Sequence, residues 1–260
     1  VHGGDLYDPS KWTSPHRHYL LRHWIARLMR RADCVVGQSA DTIKNTHRFY
    51  VPDLEVHQIP LGIGRPPAVE GRRADWGFAE DDVVMVTVGR LVARKAIDQL
   101  VEMMRELPDR ARLVIIGDGP IKPDLEALSQ RLGLGARVQF AGSIDEDDKF
   151  RLLRMADLFV STSRHEGFGL VFLEAMAAGL PVIAYDKGGQ TDFLEDYVTG
   201  RLIPAGDRAA FLEALRWSVE NRHSHEAIKR HNLEAVEAFF IEHCARRYEA
   251  LFEATLAARA

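Results

Sequence analysis

The sequence predicts an α/β fold, a parallel sheet with helices on both faces. Two observations carry this. From residue 83 onward, short β-branched apolar runs alternate with longer amphipathic stretches, the pattern of strand–helix–strand units whose parallel strands need a crossover helix. The runs are also continuously apolar, as at 83–88 (VVMVTV) and 113–116 (LVII). That is expected of strands buried on both faces.

Composition sets the outer limits. The chain has 260 residues, enough for one large domain or two modest ones. It is 46% hydrophobic and 28% charged, within the range of soluble globular proteins. The net charge of −4 gives no overall basic bias, so a nucleic-acid partner is not expected. Cys34 and Cys244 are far apart and form neither a disulfide framework nor a metal cluster, which fits a reducing cytoplasm. No apolar run approaches the roughly 18–20 residues that span a bilayer, and no signal peptide is evident. The chain starts at Val1, in VHGGD, as if at the end of a strand. It is expected to be a fragment lacking an N-terminal part.

In chain order, 1–5 reads as a strand end and glycine turn. It would set His2 at the C-terminal edge of a sheet, where α/β ligands bind; an ordinary turn is the alternative. Residues 14–31 read as an amphipathic helix, with Leu20, Leu21, Trp24, Ile25 and Leu28 as its apolar stripe. Arg17, Arg22, Arg27, Arg30 and Arg31 surround the stripe and no acid lies among them. A core-packed helix with a solvated basic back is the favoured reading. Peripheral contact with an anionic membrane surface through 14–31 is the other. A strand at 34–37, a helix to Tyr50 capped by Ser39 and a strand at 56–59 follow.

Character changes over 60–82, where Gly62, Gly64, Pro66, Pro67 and Gly71 sit among charges. Residues 63–82 are read as an interdomain linker. The 1–62 piece is too short to be a whole domain, so it is the tail of one, expected to fray or pair through sheet edges. Strands are then expected at 83–88, 113–116, 138–140, 158–160, 181–184 and 200–203. Helices are expected at 95–107, 121–132, 146–155, the stretch holding Glu174, 207–222 and 224–236. A last helix at 239–256 belongs to a 237–260 segment that follows the 83–236 domain.

The chemistry centres on 166–174, EGFGLVFLE. It lies between a predicted strand and helix. Gly167 and Gly169 flank Phe168, and glycines admit close backbone approach by a ligand. The helix N-terminus offers unpaired amides and positive potential to phosphate. Glu166 and Glu174 are eight residues apart, about 12 Å if all were helical. That would suit a nucleotide diphosphate, with one carboxylate near a sugar and one near a ribose; a capped loop with solvated charges is the alternative. Gly89 and Arg90 follow the first strand, and Lys95 opens the next helix. Two cations on a glycine turn suit a diphosphate, although two surface cations would look the same. Arg94 is read as a surface residue. In GDGP (117–120) Lys122 replaces the third glycine of a dinucleotide fingerprint, so NAD is not indicated; a loop touching a base or ribose and a plain turn both remain open. DEDD (145–148) offers a D-x-D pattern for a metal, but acids at a helix start are expected from the dipole alone. No metal is expected. The zinc-peptidase and serine-hydrolase motifs are absent.

Taken together, VGRLVARK (88–95), VIIGDGP (114–120), VQFAGSI (138–144), the 156–184 stretch and TGRLIPAGD (199–207) resemble a retaining glycosyltransferase of family 4. The resemblance implies a GT-B fold: a nucleotide-sugar-binding Rossmann-like domain beside an incomplete second one at the N-terminus, with the final helix returning toward the latter. It implies no cofactor and no metal. A hexose-type sugar would pass from a UDP- or GDP-linked donor to a glycan, lipid-linked or small-molecule acceptor. Arg90 and Lys95 would bind the diphosphate beside Gly89, helped by the amides of Phe168, Gly169 and Leu170. Glu166, next to Gly167, would hold the donor sugar and Glu174 the ribose. Gly142 and Ile144 would lie against the base, and His2 would reach the sugar from the other domain. A GT-B epimerase and a non-catalytic nucleotide- or partner-binding module are the alternatives. Two departures stand out. Ala96 replaces the usual glycine, read as a helix preference, and Asp192 in GGQTD stands where glutamate is commoner, with no role assigned. Without its acceptor loop the fragment is expected to be inactive.

Overall fold

The computed structural model describes Val1, residues 6–8 and residues 11–259. His2 therefore lies outside the described residues. A small first lobe holds α1 (Tyr19–Met29), β1 (Val36–Gly37), α2 (Ala40–Phe49) and β2 (His57–Gln58). The large lobe runs β3 (Val83–Val88), α3 (Ile97–Met103), β4 (Ala111–Ile116), α4 (Lys122–Arg131), β5 (Val138–Gly142), α5 (Glu146–Met155), β6 (Leu158–Ser161), α6 (Leu170–Ala177), β7 (Val182–Asp186), β8 (Gly200–Pro204), α7 (Arg208–Glu220) and α8 (Glu226–Ala235). Helix α9 (Ile241–Ala257) follows.

The large lobe is one six-stranded sheet in the order β5-β4-β3-β6-β7-β8, and every pairing in it is parallel. The expected α/β class is therefore observed. Side chains alternate across a strand, and the core divides accordingly. Val83, Met85, Leu113, Ile115, Leu158 and Val160 face one side, packed with Leu100 and Val101 of α3, Leu125 of α4 and Phe211 and Leu215 of α7. Val84, Val86, Val114, Ile116 and Phe159 face the other, with Phe150 and Leu153 of α5 and Phe172 and Met176 of α6. Asp145 caps α5 by accepting from the Asp148 N–H at 2.8 Å. The acid cluster thus does the structural work its position suggested.

The stretch at 63–82 is tied to the large lobe. Phe78 is buried in the second core face, and Arg73 forks onto both Asp157 oxygens at 2.8 Å. The N-terminus of α9 bonds to Ile63, through Ile241 N–H to Ile63 O at 2.9 Å. Past its C-terminus, Arg259 pairs with Asp33 of the first lobe.

In the first lobe, β1 and β2 form a parallel pair over a small core of Leu6, Met29, Val35, Tyr50 and Val51. The 14–31 helix departs from its favoured reading. Pro15 starts a separate 3-10 turn (Pro15–Arg17), and only Ile25, Ala26 and Met29 of α1 reach that core. The outer half of the stripe is open: Leu20 is 82% exposed, Trp24 59% and Leu28 48%. Among the described residues, no helix is long and apolar enough to cross a membrane.

Candidate functional site

Strand order points to where a ligand would bind. The chain moves from β3 outward through β4 and β5, then returns to β6 and goes the other way. The loops leaving the C-terminal ends of β3 and β6 lead to helices on opposite faces, α3 and α6, and such a reversal is where open α/β sheets commonly form a binding crevice. The two loops are 89–96, which holds Gly89, Arg90 and Lys95, and 162–169, which holds the start of the 166–174 stretch.

The first loop is packed backbone to backbone. A Cβ on Gly117 would lie 2.0 Å from Gly89 O, and Gly117 N–H donates to Gly142 O at 2.8 Å. Gly89, Gly117 and Gly142 therefore pack closely at the sheet edge, with half-buried Ile144 two residues on. Ala96 is left-handed, at φ 48°, and fully buried. This corrects the helix-preference reading: α3 starts only at Ile97, and position 96 needs the conformation that glycine adopts without strain. The Ala96 carbonyl is held there by the Thr162 hydroxyl at 2.8 Å.

Lys95 curls back over Gly89, so that a Cβ there would sit 3.2 Å from Nζ. Its ammonium pairs with Oε1 of Glu166. Arg94 was expected at the surface. It instead turns inward, donating to His165 O at 3.0 Å and lying 3.5 Å from Glu166 Oε2. Glu166 is 6% exposed. Burial favours its neutral form, but Lys95 and Arg94 outweigh that and hold the carboxyl below its usual range. Arg90 is exposed at the same turn and takes no ion pair among the described residues.

The second loop ends at Gly169, which has φ 92° and precedes α6. A Cβ there would come within 2.6 Å of the Phe172 ring. The N–H groups of Gly169, Leu170 and Val171 find no acceptor among the described residues, as befits a helix start. Phe168 turns its ring into the core, 5.3 Å from Phe193, so only its backbone can face a ligand. Because α6 starts at Leu170, the climb to Glu174 is four residues, about 6 Å rather than 12. Glu174 lies 3.0 Å from Lys149 Nζ, which is also 2.8 Å from Glu146. Burial pushes the Glu174 carboxyl up, Lys149 pulls against it, and Glu146 adds to the rise.

Gly89, Lys95, Glu166, Gly167, Gly169 and Leu170 thus converge on one crevice, and Glu174 stands on the helix above. Arg94 and Lys149 were missed. Each meets its carboxylate across elements distant in sequence, which no local spacing announces. Among the described residues no cluster of His, Cys, Asp and Glu is arranged to hold a metal.

Lys95→Ala leaves Glu166 buried with Arg94 as its one remaining cationic partner among the described residues. Breaking such a pair costs about 3 kcal/mol. We expect that loss in denaturant unfolding at pH 7. It should shrink as the pH falls and Glu166, its pKa no longer depressed by Lys95, protonates. A loss independent of pH would mean that the pair does not hold Glu166 ionised.

The comparisons with known proteins bear on the family and the fold. The family model described as Glycosyl transferases group 1 matches residues 69–234. The lipopolysaccharide core biosynthesis glycosyltransferase LpsE of Rhizobium meliloti is 33% identical over 187 residues, which is 72% of this chain and 54% of that protein. The chain therefore spans about half the length of that relative. Sucrose-phosphate synthase from Thermosynechococcus elongatus superposes with a TM-score of 0.84 at 28% identity, over 93% of this chain and 63% of the other. Anabaena HepE, solved in complex with UDP and glucose, superposes with a TM-score of 0.80 at 22% identity, over 90% and 67%. The sheet order, the crevice and these likenesses together place this chain among the group 1 glycosyltransferases, with a GT-B fold.

Proposed function

We propose that the crevice takes a nucleotide-diphosphate sugar and that the complete protein transfers its hexose with retained anomeric configuration. The observation that carries this is the meeting of the Lys95–Glu166 pair with the unpaired amides of Gly169, Leu170 and Val171. A diphosphate laid on those amides sits beside Lys95, and Arg90 stands free to close on it. Glu166 then faces the sugar end. Glu174, one turn up α6, accepts from the ribose hydroxyls. The UDP and glucose of the HepE complex are in keeping with such a donor. UDP- and GDP-linked hexoses are the donors we favour, and a glycan or lipid-linked acceptor of the kind LpsE's name implies.

In this reading the bond between the anomeric carbon and the diphosphate oxygen breaks. The acceptor hydroxyl attacks from the same face and passes its proton to the departing phosphate oxygen. Lys95, Arg90 and the amides stabilise the negative charge growing on that oxygen, which is where preorganised donors act most strongly. The chemistry asks for no resident cofactor and no separate carboxylate nucleophile, so glycosidase logic does not apply to Glu166 and Glu174. Residues 83–236 serve as the donor lobe and 1–62 as part of the acceptor side. The test is transfer by the full-length protein from a panel of nucleotide sugars, with the product anomer read by proton NMR. Retention is expected, and Glu166→Gln should lower kcat by about 100-fold or more with the fold intact. An inverted product, or unchanged turnover in the variant, would overturn the reading.

A second observation concerns α1. Its exposed Leu20, Trp24 and Leu28 are flanked by exposed Arg17, Arg27 and Arg31, a combination suited to an anionic lipid surface. We propose that the protein rests peripherally on such a membrane through this face. The full-length protein should sediment with phosphatidylglycerol-containing vesicles, and Trp24→Ser with Leu28→Ser should weaken this several-fold. No effect of the double variant would assign the face to another part of the protein.

A further inference from the structure

Hydrogen bonds cross between the lobes beside the donor loop, and they converge on one end of α2. Ser39 caps that helix by accepting from Thr42 N–H at 3.1 Å. Its hydroxyl also lies 3.0 Å from the Gly167 carbonyl as donor, 128 residues away. The next residue, Ala40, donates its N–H to Asp192 Oδ2 at 2.8 Å. Gln58, the last residue of β2, donates its side-chain amide to the same oxygen at 2.7 Å. Asp192 thus holds both ends of the first lobe's inner edge with a single atom, and its charge complements the positive end of α2.

Asp192 is itself bound to the donor loop. It ends the 3-10 turn Gly189–Asp192. Gly189 N–H donates to Glu166 O at 2.8 Å, and a Cβ on Gly188 would lie 2.5 Å from that same carbonyl oxygen. A Cβ on Gly189 would lie 2.2 Å from Gly167 O. The two glycines let this turn lie flush on residues 166–167. Asp192 is therefore joined to Glu166 through a tightly packed turn. Asp192 is exposed at the rim, so its bonds can exchange with water at small cost. The Ser39 contact beneath is buried.

We propose that Asp192 is a positioning residue: an interlobe latch that closes the end of α2 and Gln58 onto the 166–169 loop and sets where Glu166 and Gly167 stand in the crevice. This rests on the donor-site reading above for its consequence in catalysis, though not for the latch itself. Buried structural ties resist exchange; a latch at a solvent-exposed rim opens and shuts.

Amide hydrogen exchange on the full-length protein separates the two. In Asp192→Ala the amides at 40–43 and 167–171 should exchange about tenfold faster, the size expected for losing bonds to a charged group. Strands β3, β4 and β6 should be unchanged. Asp192→Asn keeps an oxygen for both donors and should restore most of the protection. With donor sugar, Asp192→Ala should lower kcat more than it raises KM, and Asp192→Asn should recover it. Unchanged exchange at both segments, or a loss spread evenly over the large lobe, would overturn the latch. If exchange changes as expected while no nucleotide sugar is turned over by the unaltered protein, the latch stands and the donor reading falls.

Discussion

The buried pair of Lys95 and Glu166 is the constraint on which the site depends. A carboxylate 6% exposed would ordinarily be neutral. Here two cations from the loop after β3 keep it ionised, and they can do so only because β3 and β6 are neighbours at the centre of the sheet. The strand order is thus translated into charge: the topological reversal brings cations from one βα unit onto the carboxylate of another. The same pairing fixes Lys95 over Gly89.

Close backbone contact is the second constraint. Gly117 against Gly89, and Gly188 and Gly189 against residues 166–167, leave no room for a Cβ. These contacts make the crevice floor stiff. In the latch proposal, a bond made at the rim, such as Ala40 to Asp192, bears on the position of a side chain several residues away. The site is in this sense shared by both lobes, although most of its charge comes from one.

Much of this was legible in the sequence. The strand at 83–88 and the helix at 146–155 fall where periodicity and an N-terminal run of acids put them. Glycines after strands marked the crevice, because such turns require what only glycine supplies. Local patterns were less informative where an element's neighbours decide. The helix expected at 95–107 is a short α3 between two 3-10 turns, since left-handed Ala96 breaks it and Thr162 holds the break. The helical span from Glu166 to Glu174 shortened because left-handed Gly169 delays α6. Arg94 and Lys149 look like surface cations by composition, and only tertiary packing aims them at Glu166 and Glu174. The α1 stripe was visible, but whether its outer half is covered depends on partners that periodicity does not encode.

The most direct test of the central claim, that the β3–β6 crevice is a nucleotide-diphosphate site, is calorimetric titration. UDP, GDP and ADP would be titrated into the protein without added metal, alongside Glu174→Ala. The account predicts saturable binding of one nucleotide, weakened about tenfold or more by the substitution, as loss of a charged hydrogen-bond acceptor implies. Equal affinity in both proteins, or no binding by a folded full-length protein, would contradict it.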